Sequence, residues 1–118
     1  MHTIHEIADR LTELLSEQKF VQAYEELFAD EAESIDPIYA NEPPLKGLAN
    51  LIERENKFLS HATVHKIGIS DPLVSASYFT IILSMDFTST ERGSKVITET
   101  CVYKVADGKI ISQHFFIG

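Results

Sequence analysis

Apolar residues recur at helical spacing in the first half of the chain and alternate with polar residues in the second half. From Thr3 to about Ser16 they follow the 3.6-residue period that places them on one helical face: Ile4, Ile7, Leu11, Leu14 and Leu15. Thr3 and Glu6 have the spacing of a capping box, which predicts that this helix begins there. Two further helices are predicted, from about Phe20 to Phe28 and from about Leu48 to Leu59.

From Thr63 onward the period changes to two, which is typical of β-strands. Four segments rich in β-branched and aromatic residues follow it: VHKIGIS, SASYFTIILSMDFTS, KVITETCVYKV and KIISQHFFIG. Asp107-Gly108 is a signal for a two-residue hairpin turn between the last two. A short strand around Ala32–Ile35 is expected before the Asp36-Pro37 turn. Helices that precede a meander favour an α+β fold, with the helices on one face of the sheet.

Length, charge and cysteine content narrow the class of protein. The 118 residues suit a single domain over 1–118, and 44% apolar with 24% charged residues is typical of globular proteins. A single cysteine excludes an internal disulfide, and no apolar run has the length of a membrane span or signal peptide, so we expect a cytoplasmic protein. The net charge of −8, with scattered Lys and Arg, argues against nucleic acid and acidic membranes as partners.

Three stretches of the chain resemble the SnoaL-like family of the nuclear transport factor 2-like superfamily, which includes polyketide cyclases and ketosteroid isomerase. They are LFADEAESIDP, LKGLANLIERENKFL and VYKVADGKIISQHFF, and together the resemblance covers nearly the whole chain. It implies a cystatin-like cone in which three N-terminal helices pack in a highly curved antiparallel sheet around a pocket open at one end. Isomerases, cyclases, epoxide hydrolases and adaptor proteins all share this fold, so function has to be argued from the site.

Strand alternation predicts the residues of the pocket, because the more apolar set of each strand faces inward. Periodicity does not decide the last strand, where either Gln113 and Phe115 or His114 and Phe116 face inward, and the resemblance favours the first pair. Alternation predicts the pocket residues Phe79, Ile81, Leu83, Met85, Cys101 and Tyr103. The resemblance adds Thr12, Gln113 and Phe115, and Tyr39 after the Asp36-Pro37 turn is a further candidate for the pocket.

Two carboxylates are the candidates for chemistry. Asp36 lies where the resemblance places a general base, and the alternative is a turn residue before Pro37. Glu99 is a second candidate acid or base, with solvation at the open end of its strand as the alternative. The resemblance places Thr12 and Cys101 where ketosteroid isomerase has its oxyanion donors. A threonine is short and a thiol is a weak donor, so steroid isomerase activity of that type is not expected.

The five histidines lack metal-site spacing and no glycine-rich phosphate loop is present, so we expect neither metal nor cofactor.

Three functions stay open. The chain could bind a small, largely apolar or cyclic ligand. It could be an enzyme of isomerase, cyclase or hydrolase type that uses Asp36 and Glu99. It could also be an interaction module whose outer sheet face carries Thr80, Ile82, Thr100 and Val102, and a homodimer through that face is expected in each case.

Overall fold

The computed structural model describes residues 2–37 and 42–117, which contain three helices and seven strands. The helices are α1 (Ile4–Ser16), α2 (Phe20–Leu27) and α3 (Leu48–His61). The strands are β1 (Phe28–Ile35), β2 (Leu45–Lys46), β3 (Ala62–Ile69), β4 (Leu73–Ser75), β5 (Tyr78–Ser89), β6 (Gly93–Ala106) and β7 (Lys109–Ile117). None of the helices in these described ranges is long and apolar enough to cross a membrane.

The helices begin where the sequence predicts and end close to the predicted residues. The capping box of α1 is confirmed, since the Glu6 amide donates to Thr3 Oγ1 at 3.2 Å and the Thr3 amide donates to Glu6 Oε1 at 2.9 Å. Helix α2 ends one residue earlier than predicted, because Phe28 is already extended and begins β1. Helix α3 continues two residues beyond Leu59.

The strands form one sheet in the order β2-β1-β7-β6-β5-β3, with β4 also paired to β5. Strand β1 runs parallel to β7, and every other pair is antiparallel. The predicted hairpin between β6 and β7 is confirmed, with Asp107 and Gly108 at φ values of 52° and 76°. The predicted α+β class is therefore correct, although the pattern did not predict the parallel pair.

One face of the sheet is covered by the helices and the other face remains partly exposed. On β5, the inward residues Phe79 and Ile81 are 0% and 1% exposed. Ile82, which follows Ile81 and points to the opposite face, is 48% exposed. The inward set predicted for β5 is therefore confirmed. On β7, Gln113 is 2% exposed and Phe116 is 49% exposed, which confirms the orientation that the resemblance favoured. Helix α1 packs against β3, β4 and β5, while α3 contacts β1, β2, β3 and α2.

Candidate functional site

A cavity of about 640 Å³ lies between the helices and the inner face of the sheet. Its deep wall consists of buried side chains from α1, α2, β1, β6 and β7: Leu11, Leu15, Phe20, Ala23, Phe28, Tyr103 and Gln113. Its rim consists of exposed residues from α3, the segment before β2 and the β5–β6 hairpin: Glu42, Asn50, Glu53, Lys57, His61, Glu91, Arg92 and Lys95. The space is thus open at a charged mouth and apolar in its depth.

Seven of the predicted site residues lie on the cavity wall. The two candidate carboxylates, Asp36 and Glu99, face the same cavity. The other five are Leu83, Met85, Tyr103, Gln113 and Phe115. Strand alternation brings these residues together because β5, β6 and β7 are adjacent and their inward positions are in register.

The structure corrects the placement of four other predicted pocket residues. Phe79, Ile81 and Cys101 are fully buried in the closed core and do not line the cavity, because the Phe79 ring stacks on Tyr103 at 4.9 Å and fills that end of the sheet. Thr12 does not line the cavity either, since its hydroxyl donates to the Asp9 carbonyl at 2.9 Å along α1. Tyr39 lies outside the described residues.

Cys101 is an inert thiol in this setting. Burial is the main cause that raises its pKa to about 12, and the charge of Glu99 adds to the effect. A thiol with this pKa is protonated near neutral pH, so Cys101 behaves as a small apolar side chain.

Glu99 is a partly buried carboxylate in the middle of β6, where it pairs with Leu83 on one side and Ile117 on the other. Burial raises its pKa to about 7, and the nearby charges of Asp36 and Glu55 add to this rise. Glu99 therefore changes its charge close to neutral pH.

Glu55 on α3 is a third acidic residue of the cavity wall, and the sequence analysis missed it. Burial raises its pKa to about 7; the charge of Arg54 opposes this rise, and that of Asp36 adds to it. A signal was present in the sequence, because Glu55 is separated from Leu51 and Phe58 by helical spacing and so shares their inward face.

A hydrogen-bonded cluster connects α2, α3, β1 and β7 beside these carboxylates. The Gln113 Nε2 amide donates to Tyr24 Oη at 2.8 Å and to Ser34 Oγ at 3.0 Å. The Ser34 hydroxyl oxygen also accepts from Arg54 Nη2 at 2.8 Å. Since Gln113 and Ser34 are almost fully buried, these bonds satisfy groups that would otherwise be costly to bury.

Tyr24 is a neutral hydrogen-bond donor at the wall of the cavity. Burial is the main cause that raises the pKa of its phenol above the ordinary value, and the charge of Glu55 acts in the same direction. Within residues 2–37 and 42–117 its oxygen accepts from Gln113, and no acceptor is found for its own hydrogen. Its ring lies 4.7 Å from that of Phe28, which in turn makes an edge contact of 6.4 Å with Tyr103.

The cavity therefore combines aromatic walls with two carboxyl groups that titrate near neutral pH and one phenolic donor. Such groups can donate protons to a bound molecule, accept them from it, or balance its charge. In the part of the chain that the structure describes, no cluster of three or more His, Cys, Asp or Glu side chains is placed to hold a metal ion.

A family model described as a SnoaL-like domain matches residues 2–117 of the chain. A search among curated proteins found no match. Among solved structures, a Mesorhizobium loti protein whose name places it with SnoaL-like polyketide cyclases is 27% identical, with a TM-score of 0.91 over 98% of this chain and 99% of that chain.

Two more distant structures share the fold. A nuclear transport factor 2-like protein of unknown function from Burkholderia pseudomallei is 10% identical, with a TM-score of 0.79 over 100% of this chain and 92% of that chain. A Xanthomonas campestris protein with a cystatin-like fold is 15% identical, with the same TM-score of 0.79 over 100% and 92% of the two chains. The cystatin-like, nuclear transport factor 2-like architecture expected from the resemblance is confirmed.

Proposed function

The chain belongs to the SnoaL-like domain family, and from that premise we propose that its cavity binds a small, largely apolar ligand. The observation that carries the proposal is the cavity of about 640 Å³ with buried aromatic and aliphatic walls. Ligand sites for small molecules have volumes of about 300–1,000 Å³ and walls of this composition. The name of the Mesorhizobium loti relative includes the term polyketide cyclase, which agrees with a ligand of this kind, beside the term carbohydrate phosphatase, which does not.

A fluorescent probe tests this proposal without knowledge of the natural ligand. N-phenyl-1-naphthylamine is neutral and apolar, and its emission rises when it enters a dry cavity. Met85→Trp fills part of the cavity from β5, and we expect it to weaken probe binding by about tenfold, because the lost contact area is worth roughly 1.4 kcal/mol. Ile82→Trp on the outer face of the same strand is the matched control and should leave binding unchanged. Equal effects of the two variants, or no saturable binding, would contradict the proposal.

A second candidate function is an acid/base enzyme of isomerase, cyclase or hydrolase type that uses Asp36 and Glu99. The observation that favours it is that both carboxylates face one cavity beside the phenol of Tyr24. Thr12 and Cys101 lie away from the cavity, so the oxyanion donors of ketosteroid isomerase have no counterpart at those two positions. Tyr24 would instead be the donor to a carbonyl oxygen.

Hydrogen exchange tests the enzyme without a known substrate. Proton abstraction next to a carbonyl replaces the α-hydrogens of cyclohexanone with deuterium in heavy water, and NMR measures the rate. We expect the chain to accelerate this exchange and Asp36→Asn or Glu99→Gln to reduce the acceleration by about a hundredfold, the usual contribution of one general base. An exchange rate equal to that of buffer would contradict the enzyme proposal, and ligand binding would be the remaining function of the cavity.

We also propose that the chain forms a homodimer through the outer face of the sheet. Ile82 and Phe116 are 48% and 49% exposed on this face, and Thr100 lies between them in register. Exposed apolar groups clustered on an open sheet face favour a self-complementary contact. The cytoplasmic location remains a prediction from the sequence.

A further inference from the structure

Three carboxylates face one cavity, and their charges act on one another. The charge of Asp36 raises the pKa of both Glu55 and Glu99, and Glu55 also acts on Glu99. The cation that acts on Glu55 is Arg54. With all four groups ionised, this part of the cavity has an excess of negative charge.

Glu55 is partly buried in the cavity wall. Among the described residues, none donates a hydrogen bond to its carboxylate or forms an ion pair with it, and its exposed part faces the cavity. The Arg54 guanidinium beside it in sequence donates instead to Ser34 Oγ at 2.8 Å. A buried carboxylate in this position is costly unless a positive charge approaches it or it takes up a proton.

The walls around these carboxylates are aromatic. The rings of Tyr24 and Phe28 lie 4.7 Å apart, and Tyr103 contacts Phe28 edge-on at 6.4 Å. All three rings line the cavity. Aromatic faces attract ammonium groups, most strongly where water is excluded.

We propose that this cavity binds a small organic cation, an ammonium group with apolar substituents, whose charge is balanced by Glu55 and Glu99. The inference rests on the proposed function, that the cavity binds a small ligand, and adds the charge of that ligand. Apolar substituents contact the aromatic rings, and the ammonium replaces the proton that the two carboxyl groups hold near neutral pH. An anionic ligand would meet the repulsion of all three carboxylates.

The affinity for a permanent cation then depends on pH. Burial and the charge of Asp36 raise the pKa of Glu55 and that of Glu99 to about 7, so at lower pH a proton competes with the cation. Affinity should rise with pH through this value and level off above it.

The groups that face Glu55 are Tyr24 from α2, Asp36 after β1, Arg54 on α3 and Glu99 from β6. At the rim, Glu42, Glu53, Lys57, His61, Glu91, Arg92 and Lys95 also contribute charge.

The test compares two molecules of equal shape. Choline carries a quaternary ammonium, and 3,3-dimethylbutan-1-ol has a carbon atom in place of the nitrogen and no charge. Both are titrated into the full chain, and NMR shifts of the amides give the affinities. We expect choline to bind at least about tenfold more tightly above pH 7, a preference of roughly 1.4 kcal/mol, and the neutral alcohol to bind equally at every pH.

Glu55→Gln and Glu99→Gln keep the shape of the side chains and remove their charge, so each should reduce the preference for choline and flatten its dependence on pH. Glu25→Gln makes the same change on the exposed side of α2, outside the cavity, and should leave both unchanged.

The outcomes separate this inference from the proposed function. Equal affinity of wild-type chain for the two molecules overturns the cation inference and leaves apolar ligand binding in place. A preference for choline that survives in both glutamine variants also overturns it, because the charge would then come from elsewhere. If neither molecule nor the apolar fluorescent probe binds, both proposals fall.

Discussion

Glu55 keeps its proton to a higher pH in the folded chain than in the unfolded chain, because the cavity wall disfavours its ionised form. Unfolding therefore releases a proton between the ordinary pKa of 4.5 and the folded value of about 7. Since the folded state binds more protons in that interval, the free energy of unfolding falls as pH rises through it. The pKa of Glu99 is also raised on folding, so Glu99 lowers the free energy of unfolding over the same pH interval, although its carboxylate is less completely buried.

Glu55→Gln should remove this loss of stability. Each pKa unit is worth about 1.4 kcal/mol, and after allowance for the exposure of the carboxylate to the cavity we expect a gain of about 2 kcal/mol above pH 7. Well below pH 4.5, where the carboxyl is protonated in both states, the variant and wild type should differ little. Urea unfolding at several pH values measures the effect.

Glu25→Gln is the control for the general benefit of one negative charge fewer in a chain of net charge −8. It should leave the slope of stability against pH close to that of wild type. A Glu55→Gln slope equal to that of this control would mean that the buried carboxyl is already partnered or hydrated in solution.

The sequence revealed Asp36 and Glu99 but not the groups around them. Alternation on β6 was sufficient for Glu99, because a strand has only two faces. For Glu55 the sequence had to decide whether the side chain lies on the polar or the apolar side of α3. Its neighbours in the run Glu53–Lys57 are all polar, so the local pattern gave no indication of the apolar side. Ser34 could have been found as the inward neighbour of Ala32, whereas nothing local indicated that Arg54 would reach it across from α3.

At the scale of elements, the start of α1 depends on one pair of side chains. Thr3→Ala removes the hydroxyl that accepts from the Glu6 amide, while the backbone amide that donates to the Glu6 carboxylate remains. We expect a loss of about 1 kcal/mol in the free energy of unfolding, as is typical for an N-cap. Urea unfolding followed by circular dichroism measures it.

Ser16→Ala at the other end of α1 is the matched control. The Ser16 hydroxyl donates to the Glu13 carbonyl, and its loss leaves no amide without an acceptor. This variant should change stability by less than about 0.5 kcal/mol. Equal losses in both variants would show that the capping box is not formed in solution.

Elements that the sequence revealed are those long enough to show a period. All three helices and strands β3, β5, β6 and β7 meet this condition, whereas only the second half of the eight-residue β1 was predicted. Strands β2 and β4 have two and three residues, too few for alternation to appear. The parallel pairing of β1 with β7 joins residues from opposite ends of the chain, such as Ile35 with His114, and depends on how the whole sheet closes. Local pattern carries no information on such pairing.

At the scale of the whole molecule, the two faces of the sheet have separate roles. The inner face and the helices enclose the cavity, while the outer face exposes Ile82, Val96 and Phe116. Because β5, β6 and β7 lie side by side, Ile82 and Phe116 flank Thr100 in one row across the sheet. A ligand in the cavity and a second copy on the outer face therefore do not compete for the same surface.

Ile82→Glu should convert the proposed dimer into a monomer. It places a charge in the middle of the outer face, where burial against a second copy would strip its water, and we expect the dimer to weaken by at least about a hundredfold. Light scattering coupled to size-exclusion chromatography measures the mass against concentration. Asn56→Glu introduces the same charge at an exposed residue of α3, on the helical side of the sheet, and should leave the dimer intact. A wild-type chain of monomer mass at every concentration would contradict the dimer, and choline binding by an Ile82→Glu monomer would show that the cavity functions without it.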